Sequence, residues 1–198
     1  MKLVKSHEEP QVIEGEGLYA HTIYTGKHEI EVEKGDTAWV VFDCSARIIP
    51  GPAVVESEQM CVVIRGYQCV GKQAFIDGGD TNLPYINGCS TDQIFHPVRV
   101  GDPTLQKLHI PPFATEQKHH IHSTPRIVLV QSGTGDSVIG MQDKDRYRLE
   151  PGDVIILNKM EPHHFETADE SLTVLPLHIF SSTVLEHNHP MKNGTFEI

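Results

Sequence analysis

His120 and His122 stand two residues apart ahead of an apolar run over 127–130, and His163 belongs to a second histidine pair, His163-His164, beyond the turn Pro151-Gly152-Asp153. Alternate side chains of an extended strand leave the same face, so His120 and His122 point one way. A barrel that closes the neighbouring strand, 154–157, onto the first brings a third imidazole beside them. Three neutral imidazoles suit Fe(II), Ni(II), Cu(II) or Zn(II), with Mn(II) admitted, and do not suit Mg(II) or Ca(II). Ligand histidines must be unprotonated, so occupancy is expected to fall as pH drops through about 6. His119 and His164 alternate away from the three and are expected at the rim. His164 is the competitor of His163 for the third position.

The elements that must hold these residues are strands. No segment sustains a three-four apolar spacing through three turns, whereas short β-branched runs recur between Gly, Pro, Asn and Asp turns, at 37–42, 60–64, 98–100, 105–110, 127–130, 137–141, 154–157 and 172–179. This pattern reads as an all-β sandwich or barrel. An internal echo lies on top of it. The apolar run Met60 to Ile64, closed by Gly66, lays over Ile127 to Val130, closed by Gly133, and the turn Asp77-Gly78-Gly79-Asp80 lays over Glu150-Pro151-Gly152-Asp153. Two β-barrel lobes are therefore expected, 1–92 and 93–198. Carried back through the echo, His120 falls on Ala53, His122 on Val55 and His163 on Ser90, none of which binds metal well. The first lobe is thus expected to be a degenerate, metal-free copy.

Composition narrows the partners. The chain has 198 residues, 38% hydrophobic and 22% charged, with a formal charge of −11 spread along its length. That balance belongs to a soluble globular protein and disfavours nucleic acid and anionic membrane surfaces. There is no apolar run near the ~18 residues of a membrane span, and a cytoplasmic protein is expected. Cys44, Cys61, Cys69 and Cys89 form no CxxC pair and are expected to be reduced thiols. His187 and His189 lie in a turn-like C-terminal stretch and are weak candidates for a second metal site. Tyr85, Tyr147 and Cys89 are candidate pocket residues that nothing in the sequence orients.

On these residues the chain resembles the cupin superfamily, small antiparallel double-stranded β-helix (jelly-roll) barrels whose two motifs carry metal ligands. His120-Ile121-His122 takes the histidines of the first motif and Gly133 its closing glycine, with Ala114 where the opening glycine would stand. In the second motif the register from Gly152 lands on His163, while Asn158, Met160 and Thr167 replace its Pro, Gly and Asn. The largest departure is Arg126, which stands where the family's glutamate ligand is expected. Beside a dication, at an effective dielectric of ~20 and ~6 Å, that cation meets on the order of 5 kcal/mol of repulsion. Arg126 must turn away, pair with an acid such as Glu116 or Glu166, or meet an anionic substrate.

With three histidines and no carboxylate, the resemblance is to the gentisate, acetylacetone and cysteine types of non-haem iron dioxygenase. It implies one Fe(II), dioxygen, and a small anionic substrate (an organic or phenolic acid, or a diketone) clamped by Arg126. His178 alternates with Leu172, Val174 and Pro176 on the last apolar strand, which puts it at the same cavity as a hydrogen-bonding group or proton carrier. Rival readings are a cupin isomerase, cyclase or lyase that uses the metal as Lewis acid, and a metal-dependent small-molecule binding or regulatory protein without turnover. Cupins often pair through barrel edges, so a homodimer is expected.

Overall fold

The computed structural model describes residues 1–5, 11–13, 20–76, 81, 83–99, 101–117, 119–142 and 145–179. In chain order the strands are β1 (Lys2–Val4), β2 (Gln11–Ile13), β3 (His21–Thr25), β4 (His28–Val32), β5 (Thr37–Val41), β6 (Ser45–Pro50), β7 (Ala53–Ser57), β8 (Met60–Ile64), β9 (Lys72–Phe75), β10 (Leu83–Pro84), β11 (Ser90–Phe95), β12 (Thr104–Ile110), β13 (Arg126–Gly133), β14 (Gly135–Ile139), β15 (Asp145–Leu149), β16 (Val154–Leu157), β17 (His163–Glu166) and β18 (Leu172–His178). Among the described residues the only helix is a 3-10 turn at Ile86–Gly88, and no helix is long and apolar enough to cross a membrane. The all-β expectation holds.

The chain divides into two compact units, Val4–Gly78 and Met1–Leu3 with Gly79–Ile198. In the first, a sheet ordered β2-β3-β8-β5-β6-β9 accompanies the hairpin pair β4-β7. Alternation on β4 and β7 turns Ile30, Val32 and Val55 inward, where they meet Ala38, Val40, Cys61 and Val63. In the second, a sheet ordered β1-β16-β13-β18-β12-β11-β10 accompanies β15-β14-β17. Its core gathers Ile110, Val128, Val130, Leu149, Ile155, Leu157, Leu172 and Val174. Burying each such side chain is worth roughly 1.5–3 kcal/mol. Both β8 and β13 are buried at all their apolar positions and lie inside a sheet, so the echo between them reflects two equivalent central strands.

Three sequence expectations are corrected here. The division falls at 78/79 rather than 92/93, because β10 and β11 pair with each other and β11 pairs along β12 (Ser90↔His109, Thr91↔Leu108). A boundary at 92/93 would cut β11 in two. For the same reason Ser90, which the echo set against His163, lies in the same unit as His163, while Ala53 and Val55 do lie in the other unit, on β7. Finally, 98–100 contains no described strand: the amides of Val98 and Arg99 donate to the Asp102 carboxylate at 3.0 and 2.7 Å, which closes a turn. The echo's turn at 77–80 and the pair His187 and His189 lie outside the described residues. None of the four cysteines forms a disulfide.

Candidate metal centre

His120 and His122 are not in a regular strand. They follow residues 113–117 and, with them, lie antiparallel to β17 through two isolated bridges, Thr115↔Glu166 and His120↔His163. Thr167 N donates to Ala114 O (2.9 Å), Glu116 N to Phe165 O (3.0 Å), and His120 and His163 exchange both backbone bonds (3.1 and 2.9 Å). Met160 N donates to His122 O (2.7 Å), which fixes the end of the segment against the turn before β17. The two-residue alternation foreseen for the histidines is supplied by this pairing rather than by a strand continuous with β13.

The three imidazoles converge. Nitrogens of His120, His122 and His163 all lie within 4.8 Å of one another, with ring centroids 4.6 to 5.1 Å apart. His120 Nε2 and His122 Nε2 are 3.1 Å apart. Two imidazoles bound at about 2.1 Å to one ion at an angle near ~95° have that separation. His163 Nδ1 lies 2.7 Å from Glu161 O. A carbonyl only accepts, so Nδ1 carries the proton and Nε2 is left as a lone pair, the tautomer a metal ligand needs. The donor set therefore suits a divalent transition metal, and His120, His122 and His163 are the residues that would hold it.

The neighbouring pair is used differently. His164 points to the other face of β17, where its Nδ1 is 2.8 Å from Nδ1 of His119 and its Nε2 is 3.4 Å from Glu166 Oε2. The choice between His163 and His164 is thus made by strand alternation, and it is His163, 2% exposed, that joins the cluster.

A cavity of about 280 Å³ opens beside the cluster. Period-two alternation supplies its walls: His163 and Phe165 from β17, Pro176 and His178 from β18, Arg126 and Val128 from β13, Gln106 and Leu108 from β12. Tyr85, Thr91, Glu116, His122 and Leu157 complete it, whereas Tyr147 lies on β15 away from the cavity lining and Cys89 packs into the core. His178 is on the wall, with its ring centroid 6.3 Å from that of His122.

Of the three fates open to Arg126, the structure shows the inward one. The residue is 9% exposed, and its Nη1 donates to Thr124 Oγ1 and to Thr124 O (3.1 Å) rather than to an acid. Glu166 is held instead by Arg146 and His164. Burial lowers the Arg126 guanidinium to about 10, so it remains charged at neutral pH. Glu116 is the polar group whose place in the wall the sequence reading did not foresee; it had entered only as a partner for Arg126. It is 8% exposed, and burial raises its carboxyl to about 7 against a smaller opposing hydrogen bond at Phe165. No spacing signal marks it, because its burial arises from residues 113–117 folding back on β17.

Burial, followed by the charges of Arg126, His120 and His163, lowers His122 to about 3, and burial chiefly lowers His163. The folded state thus resists protonation that the unfolded chain accepts below ~6.5. Folded-state values below the unfolded ones give stability that is full above ~6.5 and is lost as pH falls toward 3. The onset of metal loss is accordingly displaced below the pH of about 6 expected for ordinary imidazoles. Two measurements check this: metal release by elemental analysis after equilibration at stepped pH should have its midpoint below 6, and the melting temperature of the metal-free protein should fall between pH 6.5 and 4. A flat melting profile over that interval would contradict the buried, neutral state of His122.

A family model described as "Cupin domain" matches residues 106–180. No curated protein matches the sequence. Among solved structures the chain is similar to a polyketide cyclase from Streptomyces resistomycificus, at 17% identity over 57% of this chain and 82% of that one, with a TM-score of 0.44. It is similar to a cupin 2 conserved barrel domain protein from Leptotrichia buccalis, at 12% identity over 89% and 91% of the chains (TM-score 0.49). It is similar also to a DMSP lyase from Ruegeria pomeroyi, at 17% identity over 46% of each (TM-score 0.41). Strands β13 to β18 and most of β12 fall within the residues that the cupin-domain model matches, and so do all three histidines of the cluster.

Proposed function

We propose that the cupin unit is a metal-dependent enzyme that binds a small organic or phenolic acid, or a diketone, between the three-histidine cluster and Arg126, and that with Fe(II) it is a dioxygenase. The observation that carries this reading is the meeting of three imidazole donors, with no carboxylate among them, at the wall of a largely apolar cavity that also holds a buried arginine. A dication there would supply Lewis acidity and, as iron, a site for oxygen chemistry. The chain's own residues do the rest. Arg126, anchored through Nη1 at Thr124, adds a fixed positive charge that attracts and orients an anion. Leu108, Val128, Leu157 and Phe165 exclude water and so strengthen that attraction. His178 supplies a further imidazole on the wall for hydrogen bonding or proton transfer to the bound molecule.

Elemental analysis of freshly purified protein followed by an oxygen-electrode screen with Fe(II) and candidate acids tests the proposal. Substrate-dependent oxygen uptake is expected. Turnover without oxygen uptake by a zinc- or nickel-bearing protein would move the assignment to a Lewis-acid cyclase, isomerase or lyase. Arg126→Leu is expected to raise KM for a carboxylate substrate at least tenfold while changing KM for its neutral ester less than about twofold. Equal changes for acid and ester would remove the clamp.

A further inference from the structure

Most polar groups on the cavity wall are already committed. Tyr85 donates its hydroxyl proton to Gln117 Oε1 (2.9 Å), Thr91 Oγ1 donates to Lys107 O (2.9 Å), and Gln106 Nε2 donates to Gln93 Oε1 (2.9 Å). Among the described residues that line the cavity, two buried side-chain atoms have no hydrogen-bond partner, Arg126 Nε and Glu116 Oε2. Leaving a buried polar atom unpaired is unfavourable, and a carboxyl 8% exposed on the wall of a cavity is a place where a ligand can satisfy it. The two orphans differ in kind. The guanidinium only donates and is cationic, whereas a carboxyl can accept, and when protonated can donate as well.

We propose that Glu116 is a specificity-determining residue that pairs with a hydroxyl group of the substrate, so that the site selects hydroxy acids over the same acids lacking the hydroxyl. The inference deepens the acid-binding reading above and rests on it. The buried Arg126 guanidinium on the same wall disfavours a second cation there, and the burial that raises the Glu116 carboxyl to about 7 acts in the same direction, so a neutral partner is favoured over an ammonium. The class is therefore hydroxy acids rather than amino acids. Tyr85, with its proton engaged at Gln117, does not substitute for it.

The test is calorimetric binding to the nickel-loaded full chain of lactate against propionate, and of salicylate against benzoate. A hydroxy acid also gains by chelating the metal, so the informative quantity is the change in the hydroxyl preference when Glu116 is altered. Glu116→Leu is expected to reduce the preference at least fivefold while leaving propionate and benzoate within about twofold of wild type. Glu116→Gln, which keeps an accepting oxygen, is expected to retain it. Glu116→Met serves the same comparison where the leucine variant does not fold. Alanine is expected to bind more weakly than lactate. A hydroxyl preference unchanged in the leucine or methionine variant would assign the advantage to chelation alone and overturn the inference, and tighter binding of alanine would overturn the neutral pairing. Failure of every acid to bind the wild type would instead bring down the acid-binding reading, and this inference with it.

Discussion

Replacing His163 with alanine is expected to abolish stable metal retention, lowering affinity at least about 100-fold, while His164→Ala leaves the metal bound. The difference follows from one strand. On β17 the two histidines face opposite ways: His163 turns inward with Nδ1 held by Glu161 O, and His164 turns outward to His119 and Glu166. Altering a group that merely orients a ligand costs about 10–100-fold in metal affinity. Removing a ligand together with its fixed tautomer costs more, because His120 and His122 then hold the ion alone from an irregular segment whose position relies on pairing with β17. The backbone bonds between His120 and His163 survive the substitution, so the fold is expected to persist and the loss to be local. Metal stoichiometry after gel filtration, with circular dichroism as the fold control, checks it. Full occupancy in the His163→Ala protein would remove His163 from the site, and loss in His164→Ala alone would exchange the two.

How much of this was readable beforehand follows the physics of each signal. Strands with apolar runs, β5, β8, β13, β16 and β18, were legible because burial on both faces leaves a hydrophobic run between turn residues. β11, Ser-Thr-Asp-Gln-Ile-Phe, was not: only Thr91 and Phe95 of its six residues are buried, so it resembles a loop, and the unit boundary was drawn through it. The expected strand at 98–100 failed in the opposite sense, because Val98 and Arg99 lie in a turn that Asp102 closes. At the site, His120, His122 and His163, which the structure brings together, were picked out by the His-x-His spacing and, for His163 over His164, by the register from Gly152 in the motif that the resemblance supplies. Arg126 was located in sequence but its direction was not, since that depends on Thr124 anchoring the guanidinium. The role of Glu116 left no trace in one dimension.

Gly133→Ala should be among the most damaging single substitutions in the second unit, at about 3–5 kcal/mol, on the order of a 10 °C fall in melting temperature. Gly133 ends β13 opposite Leu172 with φ +75, and a Cβ built there would stand 1.9 Å from Ser171 O and 2.8 Å from Ser171 C. Those are backbone atoms, so no rotamer change relieves the clash, and β13 and β18 must separate at this end. Gly140 provides the comparison: its φ is +90, but a Cβ there meets nothing within 4 Å. Gly140→Ala therefore carries backbone strain alone, about 1–2 kcal/mol. The gap between the two variants isolates the steric part from the conformational part, and equal melting temperatures would mean that β13 and β18 tolerate separation. The same two strands carry Arg126 and His178 at their other ends, paired directly across the ladder. Because an ion bound only by the folded state raises apparent stability by mass action, adding metal should recover part of the lost melting temperature in Gly133→Ala and should recover none in a Gly133→Ala, His163→Ala double variant.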